Sequence, residues 1–128
     1  MKLTDESKAF HYAVYAVVNQ IPFGCATSYG HIAYLIGRPQ NSRLVGASLK
    51  HCHEIVRQLN LQSSENDLID IDRLPWWRVI SASGIISPRG NTAGEILQKN
   101  LLTQEGIIVE GTKVSLDENG WFPDDVDL

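Results

Sequence analysis

A chain of 128 residues, 43% hydrophobic and 20% charged, fits one globular domain with enough apolar material for a core that needs no metal or disulfide staple. No apolar run is long enough for a transmembrane helix, residues 1–8 (MKLTDESK) carry no signal-peptide core, and two cysteines, Cys25 and Cys52, are too few for a disulfide framework, so an intracellular, reducing location is expected. The net charge of −4 argues against nucleic-acid binding only until its distribution is read: residues 31–60 hold Arg38, Arg43, Lys50 and Arg57 against Glu54 alone, while residues 91–128 hold Lys99 and Lys113 against eight acids. A basic middle and an acidic tail are compatible with DNA binding through one face, and ordinary surface charge is the plain alternative.

In chain order, Thr4 is placed to cap a first helix, and Phe10, Val14, Val17 and Ile21 fall at i, i+4, i+7 and i+11 on one apolar face. Pro22 and Gly24 end it. A second helix starts at Ser28, carries Ile32, Leu35 and Ile36, and is closed by Gly37 in the left-handed conformation. After the turn Arg38-Pro39-Gln40, Asn41 or Ser42 caps a third helix that runs to about Cys52. Its small, apolar side is Val45, Ser48, Leu49 and Cys52. Its other side, at i, i+3, i+4 and i+7, is Arg43, Gly46, Ala47 and Lys50. A cation at each end with tiny residues between suits close approach to a phosphate backbone. Helix, short turn, helix is the layout of a helix-turn-helix, although many helical pairs share it.

Residues 54–73 read as an inserted surface loop with room for a short ordered piece, its acidic part turned away from DNA. Beyond Leu74-Pro75-Trp76-Trp77-Arg78, the pairs Val79-Ile80 and Ile85-Ile86 flank Ser81-Ala82-Ser83-Gly84 as a β-hairpin, or wing. Ala93–Glu105 reads as a helix with Ile96, Leu97, Leu101 and Leu102 apolar, ended by Gly106. Ile107–Glu110 and Lys113–Leu116 form a closing hairpin around Gly111-Thr112. Residues 117–128 form an acidic tail whose end, Asp124-Asp125-Val126-Asp127, is expected to fray. The expected fold class is therefore mostly α with small β-hairpins, a winged helix-turn-helix in a single domain over 1–128. His51-Cys52-His53 invites a metal reading, but the spacing is poor and no fourth ligand is evident, so no metal and no cofactor are expected. Cys52 reads as a buried helix residue.

Four stretches, IPFGCATSYGHIA, NSRLVGASLKH, PWWRVISASGIIS and LLTQEGI, resemble in order the DNA-binding domain of O6-alkylguanine-DNA alkyltransferase. They resemble still more the alkyltransferase-like proteins, which share that domain and have lost its acceptor cysteine. The resemblance runs from about Phe10 to Ile108 and implies an alkyltransferase C-terminal-domain-like fold. In the repair enzymes the motif reads Pro-Cys-His-Arg: a thiolate accepts the alkyl group, and a histidine oriented by a glutamate generates it. Here Trp76 stands at the cysteine position, Trp77 at the histidine position, and Glu105 matches the orienting glutamate. The resemblance thus implies that the chain is not an enzyme.

It also implies roles for other positions. Arg43 matches the finger that intercalates where a nucleotide is extruded, and Tyr29 the tyrosine that crowds the 3′ phosphate and rotates the nucleotide outward. Arg89 matches the position of an aromatic lid, commonly Arg in alkyltransferase-like proteins, where a planar cation lies on the flipped base. The implied lesion pocket is Trp76, Trp77, Arg89 and Tyr29. The implied DNA-binding set is Ser28, Tyr29, Arg43, Gly46, Ala47, Lys50 and Arg78. Taken singly, Tyr29 has a reading as a partly buried aromatic, Arg43 as a surface charge and Trp76 as core. Two departures stand out. Trp77 is unfamiliar at its position, and the segment between the recognition helix and Pro75 is longer than usual, with no counterpart of the family's hinge asparagine in His51-Cys52-His53-Glu54.

The function implied is non-enzymatic recognition of O6-alkylguanine in double-stranded DNA by nucleotide flipping, flagging the lesion for nucleotide excision repair proteins. A monomer with no membrane partner is expected, in the nucleus of a eukaryote or the cytoplasm of a bacterium. The alternatives are an active alkyltransferase using another acceptor, a winged-helix regulator without lesion preference, and a protein-interaction domain. Against the regulator stands a recognition face of Gly, Ala and Ser, which offers few side chains for base-edge readout.

Overall fold

The structure, a computed structural model, describes residues 3–87 and 92–128. Helix α1 (Asp5–Val18) starts where Thr4 is extended and its hydroxyl accepts a hydrogen bond from Ser7 N at 3.1 Å. Asp5 and Glu6 in its first turn complement the helix dipole. The chain turns at Gly24, whose φ of +80° is in the left-handed region, and enters strand β1 (Thr27–Ser28). Ser28 caps α2 (Tyr29–Leu35), and Gly37 with φ +76° closes it. Helix α3 (Ser42–Lys50) follows, so the helix-turn-helix layout is present as expected.

Helices α1, α2 and α3 enclose the first core cluster, centred on Val14, Tyr15, Val17, Ile32, Val45 and Leu49. Strand β2 (Val79–Ile80) pairs in parallel with β1, Thr27 opposite Val79 and Ser28 opposite Ile80. Helix α5 (Thr92–Gln104) and the hairpin of β3 (Val109–Glu110) and β4 (Lys113–Val114) close over a second cluster of Ala26, Ile80, Ile86, Leu102, Ile107 and Val114. A short α6 (Leu116–Asn119) leads into the C-terminal segment. Among the described residues no helix is long and apolar enough to cross a membrane.

Three expectations are corrected. Residues 54–73 are not one inserted loop: Cys52–Leu61 form a further helix, α4, with Ile55, Val56, Gln58 and Leu59 buried. Cys52, Ile55, Val56 and Leu59 repeat at i, i+3, i+4 and i+7, a helical period that continues past a break at His51 (φ −107°, ψ 22°). Loop character begins only at Gln62 and includes two 3-10 turns, Glu65–Asp67 and Ile71–Arg73. The Asn60 side chain holds this segment by bonding both the carbonyl and the N–H of Ile69, at 3.0 and 2.9 Å.

The wing is also different. Val79-Ile80 does not pair with Ile85-Ile86 as two strands of a hairpin, because β2 takes β1 as its partner and Ile85 bridges to Lys113. Both residues of β2 are fully buried, which suits a strand in the interior more than one on an exposed wing. The Ser81–Gly84 turn itself forms, with Gly84 N bonded to Ser81 O at 2.9 Å.

The acidic tail does not fray. Trp121 N and Ala26 N exchange bonds with Ala26 O and Asn119 O, both at 2.9 Å, and His31 Nε2 donates to Pro123 O at 2.7 Å. Gln20 Nε2 donates to Asp127 O. Trp121 and Val126, apolar residues set among the acids, pack on the first cluster. Within α5 the inward residues are Gln98 and Leu102, while Ile96 and Leu97 are about half exposed.

The contribution of α4 to the core is measurable by urea unfolding. Leu59→Ala, at a fully buried site, is expected to cost ~2–5 kcal/mol, and Leu61→Ala, 72% exposed, less than about 0.5 kcal/mol. Equal, negligible effects would return this segment to a solvated loop.

Candidate nucleic-acid interface

The face of α3 that points away from the core carries Arg43, Ala47 and Lys50, all exposed, and Gly46, half-buried. A Cβ built on Gly46 would lie 3.9 Å from Tyr29 Cδ1, an ordinary contact. The protein therefore does not itself demand glycine at 46. What the missing side chain does is leave the helix surface bare between two cations. Tyr29, half-buried in the first turn of α2, lies alongside this face. Five of the expected DNA-contacting residues thus share one surface. Leu44, 54% exposed on the same helix, adds an apolar side chain the sequence reading did not use.

Trp76, Trp77 and Arg78 form a 3-10 turn that leads into β2. The two indoles meet edge to face, 6.0 Å between centroids and 87° between planes. They diverge to different cores: Trp76 packs on the first cluster and Trp77 on the second. The Trp77 Nε1–H donates to Glu105 Oε2 at 2.7 Å. An indole N–H therefore sits on the carboxylate that the family motif assigns to a histidine.

Glu105 carries more than that bond. Arg78 Nε donates to both of its oxygens, at 2.9 and 3.0 Å, Arg78 Nη2 to Oε2 at 2.9 Å, and Gly24 N to Oε1 at 2.8 Å. The remaining Arg78 Nη1 donates to Ile21 O at 2.7 Å, and the guanidinium lies over the rings of Trp77 and Phe23 at 5.6 and 5.8 Å. The Glu105 and Arg78 side chains are only 5% and 13% exposed. Burial pushes the Glu105 carboxyl up. The hydrogen bonds from Arg78, Gly24 and Trp77, with the charge of Arg78, outweigh burial and hold it below the usual glutamate value.

Two residues of the expected DNA-binding set have partners within the protein. The Arg78 side chain is 13% exposed, and its Nε, Nη1 and Nη2 each donate within the protein, to Glu105 and to Ile21 O. Ser28 is 5% exposed, and its Oγ accepts from His31 N at 3.0 Å as the cap of α2. Both sit in motifs whose residue types suit DNA equally well, so sequence alone had no means to separate cap and ion pair from contact. Arg89 lies outside the described residues.

Sequence reasoning also missed Gln98. It is fully buried, and its Nε2 donates to Val79 O at 3.0 Å and Trp77 O at 3.2 Å, pinning the backbone on both sides of Arg78. The signal was a polar residue four positions before Leu102 on a face that otherwise goes inward.

Of the two thiols, Cys25 is half-buried and Cys52 2% exposed, with its Sγ 3.8 Å from His53 Nδ1. Among the described residues no group of three or more His, Cys, Asp or Glu is arranged to hold a metal ion. A cavity of about 410 Å3 lies between α1, α3 and α4, and one of about 630 Å3 between α1 and the segment 62–69. Other residues than Trp76, Trp77 and Tyr29 line both.

Residues 9–107 match the family described as 6-O-methylguanine DNA methyltransferase, DNA binding domain. Alkyltransferase-like protein 1 of Schizosaccharomyces pombe is 35% identical over 119 residues, covering 89% of this chain and 95% of its own. A DNA base-flipping protein of Vibrio parahaemolyticus is 35% identical over 115 residues, with 89% and 97% covered. Among solved structures, S. pombe Atl1 in complex with damaged DNA containing O6-carboxymethylguanine superimposes with a TM-score of 0.71 at 35% identity, over 96% of this chain and 100% of that one.

The Glu105 node sets a pH-dependent share of stability. With its folded pKa below the ordinary value of about 4.3, its contribution is fully present above that value and is lost as pH falls through the folded pKa. Glu105→Gln leaves the Arg78 guanidinium buried without its countercharge. Urea unfolding at pH 7 is expected to show a loss of about 3 kcal/mol or more, and the variant's stability is expected to fall less steeply than wild type below about pH 4.

Proposed function

This chain belongs to the family of the 6-O-methylguanine DNA methyltransferase DNA-binding domain, among its alkyltransferase-like members, and on that premise we propose that it binds O6-alkylguanine in double-stranded DNA by flipping the damaged nucleotide, without repairing it. The observation that carries the reading is the outer face of α3, where Arg43 and Lys50 flank the bare stretch Gly46-Ala47 with Tyr29 alongside.

In this reading α3 docks on the duplex and Lys50 holds phosphate. Arg43 enters the base stack while Tyr29 displaces the phosphate of the lesion. Extrusion costs a few kcal/mol, less where the base pairs badly, as an alkylated guanine does. Trp76, on a turn fixed by Gln98 and by the neighbours' bonds to Glu105, forms a wall against which the extruded base rests. Arg89 joins the pocket on motif position alone.

The absence of transfer is supported by the chemistry of the turn. Neither indole is a nucleophile toward an alkyl carbon, the Glu105 carboxylate is engaged by Arg78, Trp77 and Gly24, and Cys52 is buried in the core. Binding is then the output: a persistent complex on the lesion, made by a monomer, that flags it for nucleotide excision repair proteins. It acts where the DNA is, in the nucleus of a eukaryotic cell or the cytoplasm of a bacterial one.

The test is anisotropy titration of one duplex with and without a single O6-methylguanine, at one fixed moderate salt concentration. Tighter binding to the damaged duplex is expected, with no labelled methyl moving to protein; equal binding, or transfer, defeats the reading. Arg43→Ala and Tyr29→Phe are each expected to reduce the lesion preference about tenfold, ~1.4 kcal/mol. Lys50→Ala is expected to weaken both duplexes alike and to lower the salt slope by about 0.9.

A further inference from the structure

Ser48 is a polar residue in a place that disfavours one. It lies on the inner face of α3, fully buried, in the middle of a helix where alanine would be the better helix former. A buried hydroxyl in that position costs stability unless it is paired. Its partners both come from α1. The Ser48 Oγ is 2.8 Å from His11 Nδ1, and the Ser48 carbonyl accepts from the Tyr15 hydroxyl at 2.8 Å. His11 and Tyr15 are one helical turn apart, and their rings stack at 6.2 Å and 17°. Burial pushes the His11 imidazole toward its neutral form, so at neutral pH the contact is an uncharged hydrogen bond.

The ends of α3 supply little of this restraint. Asn41 at its start makes no side-chain capping bond, and at His51 the backbone breaks away from helical geometry before α4 begins. Arg43 and Lys50, five positions before Ser48 and two after it, stand about 140° and 160° around the helix from it and are exposed. A side chain that must push into a base stack loads the helix it stands on. Phosphate contacts, by contrast, tolerate a helix that rocks.

We propose that His11 and Tyr15 are positioning residues that hold α3 through Ser48, pre-setting the angle at which Arg43 enters the DNA. The inference rests on the flipping reading above and adds to it which contact makes the recognition helix rigid enough to use. Removing the strut makes ordering of α3 part of the cost of the flipped complex, whereas in the intact protein that ordering precedes binding.

The variants are Ser48→Ala, which deletes the hydroxyl, His11→Phe, which keeps a ring on Tyr15 but no nitrogen, and His11→Asn, whose amide stands where Nδ1 stood and is able to meet the Ser48 hydroxyl. Amide exchange over residues 42–50 of the DNA-free protein is read first. Faster exchange in Ser48→Ala and His11→Phe, with melting temperature and the exchange of α5 held near wild type, supports the strut; unchanged exchange overturns it, whatever the binding results. Titration against the damaged and undamaged duplexes is read next. A drop of about fivefold in lesion preference in both variants, the worth of one hydrogen bond, with recovery in His11→Asn, supports positioning. Equal losses on both duplexes, or no recovery, overturn it. A wild-type protein without lesion preference defeats the functional reading instead, and the exchange result still decides whether α1 restrains α3.

Discussion

One buried carboxylate joins the parts of this molecule. Glu105, at the end of α5, accepts from the Gly24 backbone, the Trp77 indole and the Arg78 guanidinium, and Arg78 in turn reaches the Ile21 carbonyl just after α1. These residues lie far apart in the chain, so the bonds close long loops and fix the helix-turn-helix half against the half built from α5 and the hairpin. A charge taken this far out of water is tolerated only because each oxygen is met by several donors. The same condition makes the carboxylate exacting: its removal strands donors of Gly24, Trp77 and Arg78 at once.

That node explains what the Trp76–Arg78 turn can and cannot be. Its backbone is held by Gln98 from one side and its side chains by Glu105 from another, so it is a rigid ledge. On the proposed reading, the two half-buried indoles of this ledge hold a base rather than attack one. Glu105, which the resemblance matches to the orienting glutamate of the repair enzymes, here holds an indole N–H and neutralises a guanidinium. Function on the proposed reading therefore rests on geometry held in advance rather than on a reactive group.

Much of this was legible in the chain. Thr4, Ser28 and Gly37 mark helix ends by chemistry that acts locally, a capping hydroxyl at the first two and a missing Cβ at the third, and they are legible for that reason. The faces of α3 were legible because helical period and residue size agree there. What failed was non-local. The pairing of Val79-Ile80 with Thr27-Ser28 depends on partners some fifty residues apart, and a nearby turn at Ser81–Gly84 suggested the wrong one. A buried ion pair at Arg78 and a helix cap at Ser28 use the same residue types as phosphate binding, so the chain alone does not tell these internal partners from DNA. In segment 54–61, Arg57, Gln58 and Asn60 interrupt the apolar run but not the helical spacing of Ile55, Val56 and Leu59.

The C-terminal segment bears on how an acidic chain holds DNA at all. A free tail carrying Asp124, Asp125 and Asp127 would be a tethered polyanion, able to compete with phosphate for Arg43 and Lys50 at high local concentration. Instead it is strapped down by Trp121, Val126 and the bond from His31 to Pro123. His31 is two residues beyond Tyr29, about 200° around α2, so the strap is held on the side of that helix turned away from Tyr29. Docking the tail thus separates the acids from the cations of α3 by structure, which is how a net charge of −4 coexists with a face that carries only positive charge.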